Sequence, residues 1–323
     1  TMYAALARSD GDPHSLRAVE LPPVPIRAGA VRVRVDAMAL NPADLKVLKG
    51  GFVGGLLHAR TDPLVVGYDF VGRVIECGED ADLSEGDRVY GHLAYGKDND
   101  QGSLAEEVVV DAGTVAIAPG RPDAEVAALP TVTLTALQAL RDHAGLTAGD
   151  DALVIGASGG VGTAAVGIAR RLGARVTAVC GPYAVEAVTA LGADTVIDRS
   201  REDFRARTER FDTILDASGK YGFGALRSLL RRGGHAVTTL PSPTFALARV
   251  LAPLAGLHAG WVMVDSNRAD LDTVRSWVAD GLRVPVAEQF PWDAAEDALT
   301  ALARGGVVGK IVVTRSVSTP RVD

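Results

Sequence analysis

From Ala30 to about Val110, apolar and charged positions alternate with a period of two, most plainly in Val31, Arg32, Val33, Arg34 and Val35. The alternation predicts short half-buried strands at Val31 to Val35, Phe70 to Cys77, Arg88 to Gly91 and Glu106 to Val110. Turn signals such as Glu85-Gly86-Asp87 separate them, and the spacing predicts a small barrel or sandwich. After Pro130 the texture changes. Apolar runs at Ala152 to Ile155, Arg175 to Val179, Thr195 to Ile197, Thr213 to Asp216 and His235 to Thr239 alternate with helical periodicity at Val161 to Leu172, Ala184 to Leu191 and Gly222 to Leu230. That rhythm predicts βαβ crossovers and a parallel sheet, an α/β fold with a β-rich region before it. A helix at Asp293 to Arg304 and a strand at Gly309 to Thr314 close the pattern, and periodicity alone leaves open which half the last strand joins.

Composition narrows the function classes. The 323 residues suggest about two domains, and 47% hydrophobic against 23% charged is a globular balance. With 33 basic and 40 acidic residues the net charge is −7, which argues against nucleic acid or an anionic membrane as partner. Cys77 and Cys180 cannot make a four-thiolate metal site or a disulfide framework, and a cytoplasmic location is expected. Thr1 to Ala7 shows no basic stretch followed by an apolar one, so no signal peptide is expected. Phe245 to Val264 has the length of a membrane span, but Arg249, Pro253 and His258 interrupt it, which predicts a buried or pocket-lining segment.

The chemistry is concentrated in Leu153-Val-Ile-Gly156-Ala-Ser158-Gly159-Gly160-Val161-Gly162, which runs from an apolar strand into a helix. Glycines at a tight strand-to-helix turn let the backbone approach a pyrophosphate, which then lies at the positive end of the helix. The spacing departs from a strict G-x-G-x-x-G, yet strand, loop, helix and second strand stand in the order a dinucleotide site needs. At the end of the second strand, where a carboxylate would hold the ribose hydroxyls of NADH, the chain reads Val179-Cys180-Gly181-Pro182-Tyr183. No acidic group stands there to repel a 2′-phosphate, so the expected cofactor is NADPH, with Arg199 as the candidate phosphate contact.

With these features the chain resembles the medium-chain dehydrogenase/reductase superfamily, in its zinc-independent quinone oxidoreductase branch. The resemblance rests on Asn41-Pro42-Ala43-Asp44, Gly67-Tyr68-Asp69-Phe70-Val71-Gly72-Arg73-Val74, Gly86-Asp87-Arg88-Val89, Leu129-Pro130, Leu134-Thr135-Ala136, the glycine loop, Leu191-Gly192-Ala193-Asp194 and Gly309-Lys310-Ile311-Val312. It implies a GroES-like catalytic domain over residues 1–124, completed by 287–323, and a Rossmann-like, doubly wound cofactor domain over 125–286. It also implies a cleft active site and a homodimer. The cofactor contacts it implies are Asn41, Thr135, Gly156, Ser158, Gly159, Gly160, Val161, Gly162, Arg199 and Leu240.

Zinc-dependent members need a cysteine near position 39 and a histidine near 68, where this chain has Ala39 and Tyr68, so no metal is expected. Hydride transfer without a metal suits a quinone or an α,β-unsaturated carbonyl, whose developing oxyanion can be held by hydrogen bonds. The resemblance makes Asn41 the residue whose amide donates to that oxygen. Phe52 stands where many relatives carry a tyrosine, so a protein acid must come from elsewhere, with Tyr68 and Tyr95 as candidates. A hydrophobic substrate is expected between Phe52 and Leu56 on one side and Phe245 and Trp261 on the other. An enoyl-thioester or biosynthetic tailoring reductase and a non-catalytic NADPH-binding redox sensor or scaffold are the competing readings.

Overall fold

A computed structural model describes residues 3–8 and 16–315. The first eight strands are β1 (Tyr3–Arg8), β2 (Arg17–Leu21), β3 (Ala30–Ala39), β4 (Leu64–Val65), β5 (Asp69–Cys77), β6 (Arg88–His92), β7 (Glu107–Asp111) and β8 (Val115–Ile117). Then follow β9 (Asp151–Ile155), β10 (Arg175–Cys180), β11 (Thr195–Asp198), β12 (Phe211–Asp216), β13 (Leu230–Thr238), β14 (His258–Trp261), β15 (Val286–Pro291) and β16 (Lys310–Thr314). The helices are α1 (Pro42–Lys49), α2 (Gly51–Leu57), α3 (Asp123–Ala127), α4 (Pro130–Leu137), α5 (Gly160–Arg171), α6 (Val185–Ala190), α7 (Phe223–Leu226), α8 (Pro243–Leu251), α9 (Arg268–Ala279) and α10 (Ala295–Arg304).

Strands β9 to β14 form one parallel sheet in the order β11-β10-β9-β12-β13-β14. The chain starts in the middle, winds outward on one side and returns to wind outward on the other. That reversal opens a crevice beyond the carboxyl ends of β9 and β12, where ligands of open α/β sheets bind. A second sheet runs β15-β16-β3-β5-β6-β8, with β7 also paired to β3, and joins strands from both ends of the chain. The last strand thus belongs to the first half, through Val312 opposite Ala39. One apolar cluster runs from α4 and α5 to Ala37, Ala39, Val71, Tyr90 and Val312, so the two sheets pack through a shared core.

Some elements differ from the periodicity. The helix expected at Gly222 to Leu230 shrinks to α7 and a 3₁₀ turn, and Leu230 already begins β13. The span Phe245 to Val264 is not one buried segment. Ser242 caps α8 by accepting the Phe245 N–H, Pro243 occupies its first turn, and Gly256 in the left-handed region ends the next turn before β14. Leu247, Val250, Leu251 and Leu254 there are exposed. No described helix is long and apolar enough to cross a membrane.

Candidate active site

The glycine loop joins β9 to α5, whose first-turn N–H groups lack intrahelical partners by construction. Its glycines answer to different neighbours. A Cβ on Gly162 would lie 2.1 Å from the Gly156 carbonyl, so only glycine lets α5 approach the turn this closely. Gly156 has φ +79°, and a Cβ there would meet the Ser218 backbone nitrogen at 3.0 Å. Ser218 N and Oγ, Gly219 N and Tyr221 N all donate to the buried Asp216, which shapes the turn after β12. Leu240 lies against Gly219, so Gly156, Ser218 and Leu240 line the carboxyl ends of β9, β12 and β13. Ser158 shares a hydrogen bond of 3.2 Å with the Tyr183 hydroxyl across the loop, and Val161 is half-buried against the main core. These residues form a cradle that fits a dinucleotide pyrophosphate.

The opposite bank is made of buried polar side chains. Asn41 caps α1, and its N–H donates at 2.6 Å to Asp44, the reciprocal half of a capping box. Its side chain is engaged at both ends: Oδ1 accepts from Lys310 Nζ at 2.6 Å, while Nδ2 donates to Asp69 at 3.0 Å and to the Ala39 carbonyl at 3.4 Å. Asp69 also accepts from Lys310 Nζ at 3.0 Å and from the Thr131 N–H and hydroxyl at 2.7 and 2.6 Å. Lys310 and Asp69 keep only 4% and 0% of their side-chain surface, so this is a buried ion pair with most of its hydrogen-bonding capacity satisfied. Burial pushes the Asp44 carboxyl up to about 7, against the Asn41 N–H, the Lys310 charge and the Gly67 N–H, which hold it down.

Behind this cluster four rings pack together. Tyr68 lies 4.5 Å from Tyr95, 5.9 Å from His92 and 6.2 Å from His58 between ring centroids. Tyr68 is fully buried, its hydroxyl donates to the Leu57 carbonyl at 3.1 Å, and burial together with Asp44 raises its pKa far above the usual phenol value. Its hydroxyl is thus occupied by a backbone carbonyl, which counts against the proton-donor role the sequence suggested for it. Tyr95 is half-buried, and burial together with the Asp44 and Asp69 charges raises its pKa well above the usual phenol value. His92 Nδ1 pairs with Ser266 Oγ at 2.7 Å, and burial pushes its pKa down to about 4, so the ring is neutral at pH 7.

The remaining predicted residues scatter. The Thr135 hydroxyl donates to the Thr131 carbonyl within α4. Arg199 is exposed beyond β11 on the rim of a cavity of about 330 Å³ shared with Ser200, Arg201, Arg205 and Tyr221, and its guanidinium makes no hydrogen bond or ion pair among the described residues. Phe52 and Leu56 stand out from α2, 80% and 55% exposed. Phe245 does not face them. It is sealed in the core at 6.0 Å from Phe223, because the Ser242 cap turns it inward, and it therefore cannot line a substrate pocket. Trp261, on the edge strand under Arg249, belongs to a separate cavity of about 290 Å³ with His143, His235 and His258. Sequence reasoning misses Asp69, Thr131 and Lys310, although Asp69 and Lys310 lie inside the motifs that carry the resemblance.

Two family models match: an alcohol dehydrogenase GroES-like domain over residues 27–120, and a zinc-binding dehydrogenase over residues 191–313. Among curated proteins the chain is similar to the mouse mitochondrial NAD(P)H oxidoreductase RTN4IP1, at 33% identity over 88% of this chain and 81% of that protein. It is similar also to the 2-methylene-furan-3-one reductase of Solanum lycopersicum, at 32% identity over 89% of this chain and 72% of that protein. The solved structure of the quinone oxidoreductase from Coxiella burnetii superposes with a TM-score of 0.84, at 30% identity over 97% of this chain and 99% of that one. With the sheet order, the glycine cradle and these matches together, the chain belongs to the medium-chain dehydrogenase/reductase superfamily as a quinone oxidoreductase-like oxidoreductase that uses a nicotinamide cofactor.

Proposed function

We propose that this chain is an NADPH-dependent, zinc-independent reductase of quinones or α,β-unsaturated carbonyl compounds. The observation that carries the reading is the buried Asn41-Asp69-Lys310 cluster facing the glycine loop, a charged hydrogen-bonding device where zinc enzymes need a metal-ligand set. The zinc in the name of one matching family model does not fit these residues. Ala39 offers no ligand atom, the Tyr68 hydroxyl is turned to Leu57, and no three His, Cys, Asp or Glu among the described residues are grouped to hold a metal.

The bound nicotinamide supplies the hydride. The chain supplies the rest. The glycine loop and the α5 N-terminus hold the phosphates, and the cluster sets the field on the far side of the crevice. Asn41 orients the site; with both ends of its carboxamide engaged, it serves Lys310 and Asp69 before it serves a substrate oxygen. Tyr95, edge-on to Tyr68 and His92 beside the cluster, is the proton donor this reading assigns at that oxygen, although burial and the Asp44 and Asp69 charges raise its hydroxyl well above the usual phenol value. Phe52 and Leu56 cover a hydrophobic acceptor. Arg199 receives the 2′-phosphate, with no carboxylate at the end of β10 to oppose it. Strand β14, paired on one side only among the described residues, and the exposed Val250 and Leu254 beside it form the seam of a homodimer, to be read as a two-chain mass by light scattering.

The test follows oxidation of NADPH and NADH by the purified chain against quinones, enones and enoyl thioesters with a chelator present. The expected result is NADPH-preferring turnover of quinones or enones that survives the chelator. Turnover only with thioesters replaces the substrate class, loss with chelator overturns the metal-free reading, and NADPH binding without turnover points to a sensor.

A further inference from the structure

We propose that Lys310 is a positioning residue that couples occupancy of the glycine loop to the geometry of the Asn41–Asp69 cluster. The inference rests on the dinucleotide reading of that loop. It starts from the backbone. Gly309 has φ +91°, and a Cβ there would lie 2.0 Å from the Pro285 carbonyl, so the entry to β16 is held in a conformation open to glycine alone. From that position the Gly309 N–H donates to the Ser158 carbonyl at 2.9 Å, and Gly309 pairs with Gly159 as a parallel bridge. The residue before Lys310 is therefore stitched to the loop that receives the phosphates.

The side chain adds a second tie. A Cβ on Gly160 would lie 2.9 Å from Lys310 Cδ and 2.8 Å from Val132 Cγ1, so the lysine stem lies against the first residue of α5. Its ammonium then passes to the other bank, where Asn41 and Asp69 take it. An exposed lysine would slide when its stem moved. This one is 4% exposed and its carboxylate partner 0%, and separating buried opposite charges carries a large penalty. Asp69 in turn holds Thr131, and Asn41 holds Asp44 through its backbone N–H. A displacement of the loop on loading is thus transmitted as a displacement of the whole cluster, and by linkage the cluster's state feeds back on cofactor affinity.

The experiment is hydrogen exchange on the full chain with and without 2′-phospho-ADP-ribose, a fragment that fills the phosphate loop but carries no nicotinamide to shield the far bank. The amides followed are Asn41 and Gly67, both bonded to Asp44. Fragment binding is expected to slow their exchange by at least about 5-fold in the wild type. In Lys310→Met the fragment still binds, the slowing disappears, and Lys310→Arg recovers part of it. The double variant Lys310→Met with Asp69→Asn removes both charges at once and keeps the test available if the single variant fails to fold; it too is expected to bind without slowing. No slowing in the wild type despite binding, or an unchanged response in the methionine variants, overturns the proposal while leaving the proposed function standing. If the wild type binds NADH and not the 2′-phosphorylated ligands, the same comparison is read with ADP-ribose; failure to bind the fragment, ADP-ribose, NADPH and NADH alike removes the dinucleotide reading and this inference with it.

Discussion

The two banks of the crevice are built on opposite principles. The glycine loop is backbone: it works by what it lacks, since the carbonyl of Gly156 occupies the space a Gly162 side chain would need. The Asn41-Asp69-Lys310 bank is side chain: it works by what it buries, a cation and a carboxylate cut off from water. At Gly162 the first tolerates no added atom, and at Asp69 the second tolerates no missing partner. The difference teaches where each is fragile, sterically on one side and electrostatically on the other.

Removing a charge on the second bank should have the largest effect. Asp69→Ala leaves the Lys310 ammonium buried with only Asn41, and the expected loss of stability is about 3–5 kcal/mol, read by chemical denaturation. A loss below about 1 kcal/mol would mean that water already reaches the pair. Next comes the pH dependence of the same bank. The native pKa of Asp44 is raised from 3.8 to about 7, so the folded chain holds this proton more tightly than the unfolded one. Its contribution is complete below about pH 4 and is lost as pH rises through about 7, an amplitude on the order of 4 kcal/mol. Stability against pH for wild type and Asp44→Asn should diverge across that window, and parallel curves would remove Asp44 as the titrating group.

On the backbone bank, Gly162→Ala forces α5 away from the Gly156 carbonyl, with an expected cost of about 1–3 kcal/mol and weaker dinucleotide binding by titration. If the variant binds normally, the comparison of banks fails on its steric side. The smallest effect belongs to the rim. Arg199→Ala should raise the KM for NADPH about 10-fold, roughly 1.4 kcal/mol, with little change for NADH. Equal changes for both cofactors would relocate phosphate recognition, with Arg201 and Arg205 around the same cavity as the next candidates.

The same contrast explains what the sequence reveals. The glycine loop is legible because its function is written in consecutive residues, and the βαβ rhythm is legible because buried strands and amphipathic helices have different periods. The charged bank is not, because Lys310 meets a carboxylate 241 residues away and only the completed second sheet brings them together. Asn41 was identified by position, yet the engagement of both ends of its carboxamide depends on that distant lysine. Tyr68 and Phe245 show a second limit. Tyr68 reads as a candidate proton donor and Phe245 as a pocket residue, but a hydroxyl donating to Leu57 and a serine cap turning a ring inward are matters of tertiary packing and local capping. The exposed leucines after Pro243 are similar, since an apolar run does not distinguish a core from an exposed face.

The pairing of β16 with β3 also bears on how the chain is made. The parallel sheet is complete in sequence once residue 261 has been synthesised, whereas β3 waits for residues 310–314 before its pairing through Ala39 is filled. During translation the middle of the polypeptide can thus settle first, while the beginning carries an unfinished strand edge and an Asp69 still without its lysine. A chain that stopped short of residue 310 would therefore carry an intact glycine loop facing an Asp69 with no ammonium to pair with.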